Sequence, residues 1–273
     1  MYLRHSLLCL SASLLLLASC AAPTPQSSFP AASSPSAPAQ DAPLTAETLD
    51  GCAVSDLETF LALDGPGALL LGQVPEAGLT LYGLNPGLGG GVILRQEEDL
   101  FPFDQRFLPD ESPRLPDLWW ADFDGDGSSE LAVNYLTLNT TDQHIFELHL
   151  YRPEEDGWTD TALRAEDWVS TLEDTVGYQF DPISGGVSLT AEESSLLYYL
   201  EDLPDPDPAQ PLTFQGQTYF REEDGRITAV FGIGLRLSGE EEPFYFARLL
   251  ADVTYDGASF SLSRFTLEPS YGV

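Results

Sequence analysis

The chain has 273 residues, 43% of them apolar, and carries 44 acidic residues against 11 basic ones, a formal net charge of −33 at pH 7. Every basic residue is arginine, which rules out lysine chemistry such as a Schiff base, and so acidic a surface weighs against nucleic acid and anionic lipid as direct partners. Of the three cysteines only Cys52 falls in the part expected to fold, so no intramolecular disulfide is available there.

Residues 1–19 read as a signal peptide: Arg4 supplies the positive start, and Leu7 to Leu17 is an apolar run too short to span a bilayer comfortably. Cys9 lies inside that run. Leu17-Ala18-Ser19-Cys20 resembles the bacterial lipobox, which implies cleavage before Cys20, lipidation of its sulfur and a firm anchor on the extracytoplasmic face of the cell membrane. Cleavage there leaves 10 arginines against 44 acidic residues, a net −34. Residues 20–44 are rich in Pro, Ala and Ser and cannot bury enough apolar surface to fold, so they read as a tether. The acidic extracytoplasmic domain is expected over 45–273.

Within it, Ser55-Asp56-Leu57-Glu58 fits a capping box ahead of a short helix that Gly65-Pro66-Gly67 ends. Strands are expected over 68–74, 79–84 and 91–95. Gly87-Leu88-Gly89-Gly90 lacks the Lys and Ser/Thr of a phosphate loop and reads as a hairpin loop. Residues 96–117 read as a surface loop pinned by Phe101, Phe103 and Phe107. Strands follow at 118–123, 131–138 and 143–151, and Ala165, Trp168, Val169, Leu172 and Val176 recur at helical spacing. The last hundred residues read as β, with hairpins at Asp224-Gly225 and Asp256-Gly257. Ile227, Ala229, Phe231, Ile233, Leu235 and Leu237 share one face, as do Tyr245, Ala247, Leu249, Ala251, Val253 and Tyr255. The expected fold is mostly β, a β-rich α+β arrangement of antiparallel sheets and hairpins with one or two short helices.

The chemistry concentrates in Asp122-Phe123-Asp124-Gly125-Asp126-Gly127-Ser128-Ser129-Glu130. Calcium takes six to eight oxygens, and a D-x-D-x-D-G turn supplies several from few residues. Counting from Asp122, side-chain oxygens come from Asp122, Asp124 and Asp126, the sharp turn from Gly127, a backbone carbonyl from Ser128, and a closing carboxylate from Glu130. Position twelve is Val133 rather than the bidentate Glu of an EF-hand, and a strand rather than a helix follows. The strand–DxDGDGxxEL–strand pattern over Leu118 to Arg152 resembles the calcium loop of the FG-GAP and VCBS repeats of integrin-type propeller blades. The resemblance implies a structural Ca2+ held by Asp122, Asp124, Asp126 and Glu130 with the Ser128 carbonyl. One copy in a chain this short does not make a propeller. The layout of lipobox, tether and a single loop is also similar to clostridial lipoproteins.

Other constellations are weaker. His144 and His149 have opposite parity on one strand and face apart, which weighs against zinc. No G-x-S-x-G elbow marks a serine hydrolase, although a triad needs no sequence proximity. Paired carboxylates are uninformative in so acidic a chain. Trp119 and Trp120 face opposite ways; packing is the expected role, with a sugar-stacking platform as the alternative. Cys52 reads as a small buried filler. Asn139-Thr140-Thr141 matches a glycosylation acceptor, irrelevant if the lipobox places the chain in a bacterium. The expected function is a lipid-anchored, non-catalytic lipoprotein with a structural calcium loop, acting as a binding or structural component of the cell envelope, its protein or carbohydrate ligand unknown. The alternative is an extracytoplasmic hydrolase acting on cell-wall glycan or peptide.

Overall fold

A computed structural model describes residues 44–270 except 202 and 215. The signal-peptide and tether expectations, with Cys9 and Cys20, lie outside the described residues. Helix α1 (Ala46–Cys52) has no counterpart in the periodicity reading. Its cap is Thr45, whose hydroxyl accepts the Thr48 N–H at 3.2 Å, and Ala46 and Leu49 are its buried residues. After β1 (Ala53–Val54) comes α2 (Leu57–Leu61). The expected Ser55 capping box is corrected by one residue: Asp56 is the cap, and its carboxylate accepts the Thr59 N–H at 2.7 Å. A charged acceptor suits the positive end of a helix better than a hydroxyl.

The first sheet runs in the order β1, β2 (Ala68–Val74), β3 (Leu79–Leu84), β4 (Val92–Gln96), β5 (Asp99–Phe103). The last of these corrects the expectation of a loop throughout 96–117. Pro102 conceals it, because proline cannot donate to a ladder; it is tolerated here because β5 is the sheet's edge. Next come β6 (Asp117–Ala121), β7 (Glu130–Asn139), β8 (His144–Glu154) and β9 (Gly157–Leu163), an antiparallel set, then α3 (Ala165–Thr175). The Asp167 carboxylate accepts the Arg164 backbone N–H at 2.8 Å and starts α3, whose Trp168 and Leu172 are buried with Val176 just beyond its end. A three-stranded sheet follows: β10 (Gly177–Asp181), β11 (Gly186–Ala191), β12 (Ser194–Tyr199).

The chain then returns to the second sheet through β13 (Leu212–Thr213), β14 (Gln217–Glu223), β15 (Arg226–Leu235), β16 (Phe244–Tyr255) and β17 (Phe260–Pro269). That sheet has nine strands, ordered β17-β16-β15-β14-β8-β7-β6, with β13 on β15 and β9 on β8. Its two halves join where β14 pairs in parallel with β8, over only Gln217↔His144 and Thr218↔Ile145. The β14–β15 turn has φ of 53° at Asp224 and 74° at Gly225, both positive as a two-residue hairpin of matching twist requires. The β16–β17 connection is longer, because Tyr255 pairs with Phe260 across Asp256–Ser259.

The strand faces follow the expected alternation with one correction. A register shift after Ile233 makes Phe246 the extra residue opposite the Ile233–Gly234 step. Phe246 and Ala247 therefore both enter the core, while Tyr245 turns to the other face, where a Cβ at Gly232 or Gly234 would meet its ring at 3.1 Å. The protein is β-rich with three short α-helices among the described residues, in three sheets that form no propeller. The strands β6–β8 are packed on both faces. Leu131, Val133 and Tyr151 meet Leu69, Leu81 and Leu94 of the first sheet. Ala132 and Leu148 meet a larger core built from α3, the three-stranded sheet and β14–β17.

Candidate metal centre

The hairpin β6–β7 closes on the pair Ala121↔Glu130, which leaves Asp122–Ser129 as the loop. Its aspartates fold the backbone around themselves. Asp122 accepts the N–H groups of Gly125 at 2.7 Å and Gly127 at 3.0 Å. Asp124 accepts that of Asp126 at 2.9 Å, and Asp126 that of Ser128 at 2.7 Å. Gly125 and Gly127 have φ of 78° and 94°, the left-handed region in which glycine carries no penalty.

Carboxylate oxygens of Asp122, Asp124 and Glu130 lie within 4.8 Å of one another. Asp126 stands outside that group, and Ser128 enters the network through its amide. Glu130 is the unusual member. It is fully buried; its Oε2 accepts the Phe123 N–H at 2.8 Å, and its Oε1 is buried with no hydrogen-bond partner. Burial pushes its carboxyl above the ordinary range; the Phe123 hydrogen bond opposes this, and the charges of Asp124, Asp126 and Asp122 add to it. A buried acceptor left unpaired costs free energy that the fold must recover elsewhere. With Asp122 and Asp124, Glu130 offers the kind of donor set that a hard divalent cation takes: oxygen-only, anionic and closely grouped. The residues fit calcium on that observation.

A second loop lies against this one. Arg152 Nη1 donates to the Gly257 carbonyl at 2.7 Å, and a Cβ at Gly257 would come within 3.1 Å of Asp124 Oδ2. The β16–β17 connection thus packs on the edge of the cluster, with the Arg152 guanidinium next to Asp124.

The sequence reading missed a buried polar cluster on β8. His149 is fully buried, its Nδ1 lies 2.9 Å from Asp160 Oδ2 on β9, and its Nε2, 3.7 Å from Glu147 Oε2, has no hydrogen-bond partner. Arg164 Nε is also 3.7 Å from Glu147. Burial alone would pull the imidazole pKa down, but the Asp160 and Glu147 carboxylates outweigh it and the net shift is upward. Beside it, the Tyr135 and Tyr151 hydroxyls are 2.9 Å apart, and Gln105 Nε2 donates to both. Burial pushes both phenols up, Tyr135 beyond the titratable range. The parity of His149 with Tyr151 placed it on an inward face; its partner on β9 had no such signal.

His144 is exposed while His149 is buried, so the two do face apart. Trp119 packs on the larger core and Trp120 on the first-sheet core, where it lies 6.4 Å from Trp158. Cys52 is half-buried, a partial departure from a buried filler; its thiol donates to Leu49 O at 3.4 Å, and burial pushes its pKa up, away from nucleophilic use. No helix among the described residues is long and apolar enough to cross a membrane. No protein-family model matches the chain, and no curated protein or solved structure is significantly similar to it.

Proposed function

We propose that the chain is a bacterial lipoprotein, anchored at Cys20 on the extracytoplasmic face of the membrane. Its β-rich domain holds one structural calcium ion and works as a binding or structural component of the envelope, with a protein or carbohydrate ligand. The observation that carries the metal reading is Glu130: a fully buried carboxylate with one unpartnered oxygen, grouped with Asp122 and Asp124. Asp126 and the Ser128 carbonyl would complete the shell when a cation draws the loop together. The likeness to integrin-type blades supports the choice of ion and is confined to the residues of this hairpin. Calcium would neutralise charges that otherwise repel and lock two adjacent loops, a fitting role where millimolar calcium is at hand.

Hydrolysis finds less support. An acid catalyst needs a carboxyl with a raised pKa, and among the described residues the carboxyl so shifted is Glu130, within the loop itself. Titration calorimetry of calcium into the EDTA-stripped full-length chain tests the metal. A single site with Kd on the order of 10⁻⁴ to 10⁻³ M is expected, lost in Asp124→Ala. Heats that are identical in wild type and Asp124→Ala would refute it.

A further inference from the structure

Beside the metal loop, five chain segments, Leu150 of β8 among them, line a cleft of about 220 Å³. Phe123 comes from the loop, Arg226 from the β14–β15 hairpin, Asp252 and Tyr255 from β16, and Phe260 and Arg264 from β17. The volume lies below the range of about 300–1,000 Å³ usual for drug-sized ligands, so the occupant is about one ring in size.

Three features of its lining point to an anion with an apolar face. The first is Arg264. Between Leu250↔Thr266 and Asp252↔Ser263, β17 carries one residue more than β16, and Arg264 there has φ of 55°. Glycine would hold that backbone without strain, and bulges commonly re-aim a side chain beside a functional site. Here the bulge turns the guanidinium onto the Asp252 carboxylate at the cleft. The second is Arg226, which lines the cleft and, like Arg221, Arg236 and Arg248, has no ion-pair partner among the described residues. The third is the pair of rings, Tyr255 and Phe260, with centroids 5.2 Å apart. Paired planar polar groups beside aromatic rings are suited to ring hydroxyls and C–H faces; a free guanidinium is suited to a carboxylate. The strongly negative surface weighs against a polyanion and in favour of a single charge.

We propose that this cleft binds one sugar ring bearing a carboxylate. The carboxylate sits on Arg226, the hydroxyls on the Asp252–Arg264 pair, and the ring on Phe260, which the buried Tyr255 backs. This names the ligand class of the binding role proposed above and rests on that role, but not on the metal.

The test is ligand-observed NMR titration of the full-length chain, in calcium and in EDTA, with glucuronic acid, N-acetylmuramic acid and glucose. The two acids separate a uronate source from a cell-wall glycan source. Either acid is expected to bind about tenfold tighter than glucose or better, a preference abolished in Arg226→Gln. Arg264→Gly is expected to weaken the acid about tenfold while its melting temperature stays at or above wild type, because glycine relieves the left-handed backbone. A purely structural Arg264 would instead lose stability and keep binding. Glucose binding as well as the acids, wild-type affinity in both variants, or no transfer from either acid would overturn the proposal. Sugar binding with no calcium-dependent melt would refute only the metal; a calcium-dependent melt with no sugar binding would refute only the cleft.

Discussion

Glu130→Gln separates a metal site from a solvated turn. The side chain is isosteric, so its carbonyl oxygen can keep the 2.8 Å bond from the Phe123 N–H. The amide then places an NH2 where Oε1 stands unpartnered, on a side chain grouped with the carboxylates of Asp122 and Asp124. An unpaired buried acceptor is replaced by a donor in an anionic setting. In EDTA at pH 7 the variant is expected to be more stable than wild type by about 1–3 kcal/mol, the cost of one unsatisfied buried polar group. Calcium reverses the order. With Kd on the order of 10⁻⁴ to 10⁻³ M and 10 mM calcium, wild type gains about 1.4–2.7 kcal/mol, or roughly 3–10 °C in melting temperature for a domain of this size. The variant, short of one ligand charge, gains little. The sign with pH also follows. Glu130 has a folded pKa above its unfolded one, so its protonated form favours the fold. In EDTA, wild type therefore catches up with the variant as pH falls through the raised folded value, and the gap is widest above it. The assay is differential scanning fluorimetry of both proteins in EDTA and in calcium from pH 4.5 to 7.5. A variant less stable than wild type in EDTA, with an undiminished calcium response, would refute the reasoning.

The other predictions concern the core, the buried histidine and the anchor. Trp168 is 1% exposed and lies 4.4 Å from the Phe231 ring, so Trp168→Ala should cost about 3–5 kcal/mol in urea unfolding. Trp168→Phe should cost less than Ala, because its ring refills most of the space and the indole N–H lost in both is one buried without a partner. The folded pKa of His149 is raised, so its contribution to stability is fully present below the unfolded value, about 6.5, and is lost as pH rises through the folded one. Urea unfolding across pH 5–8 should show that slope in wild type and not in His149→Gln. Cys20→Ala should abolish incorporation of labelled palmitate and release the protein from the membrane fraction.

How legible each part was depends on how local its signal is. The hairpin at Asp224-Gly225 and the alternation of Ile227 to Leu235 could be read directly, because turn chemistry and strand period lie within a few residues of each other. Strand Ser194–Tyr199 could not: Leu197 and Tyr199 are more than half exposed, so its outward face is as apolar as its inward one and the alternation disappears. Asp99–Phe103 was hidden by its proline and Gly157–Leu163 by its polar edge. The carboxylate group was legible because one hairpin supplies all of it. His149 with Asp160, and Arg226 with Arg264, are brought together by strand pairing and by bulges, and a one-residue register shift leaves no mark on composition or period.

The short parallel join between β14 and β8 bears on the order in which this protein can be made. Each strand pairing up to β9 is with a near neighbour in sequence, and the contact with β14 takes only two residues of β8. A nascent chain can therefore complete the hydrogen bonding of its first half, the Asp122–Ser129 loop included, before the second half has been synthesised. What that half lacks until then is cover for Leu148 and Ala132, on the face the larger core will occupy. The second half thus arrives as a lid of side chains on a ladder already built. A slow step in folding should accordingly be a docking of faces rather than the formation of strands.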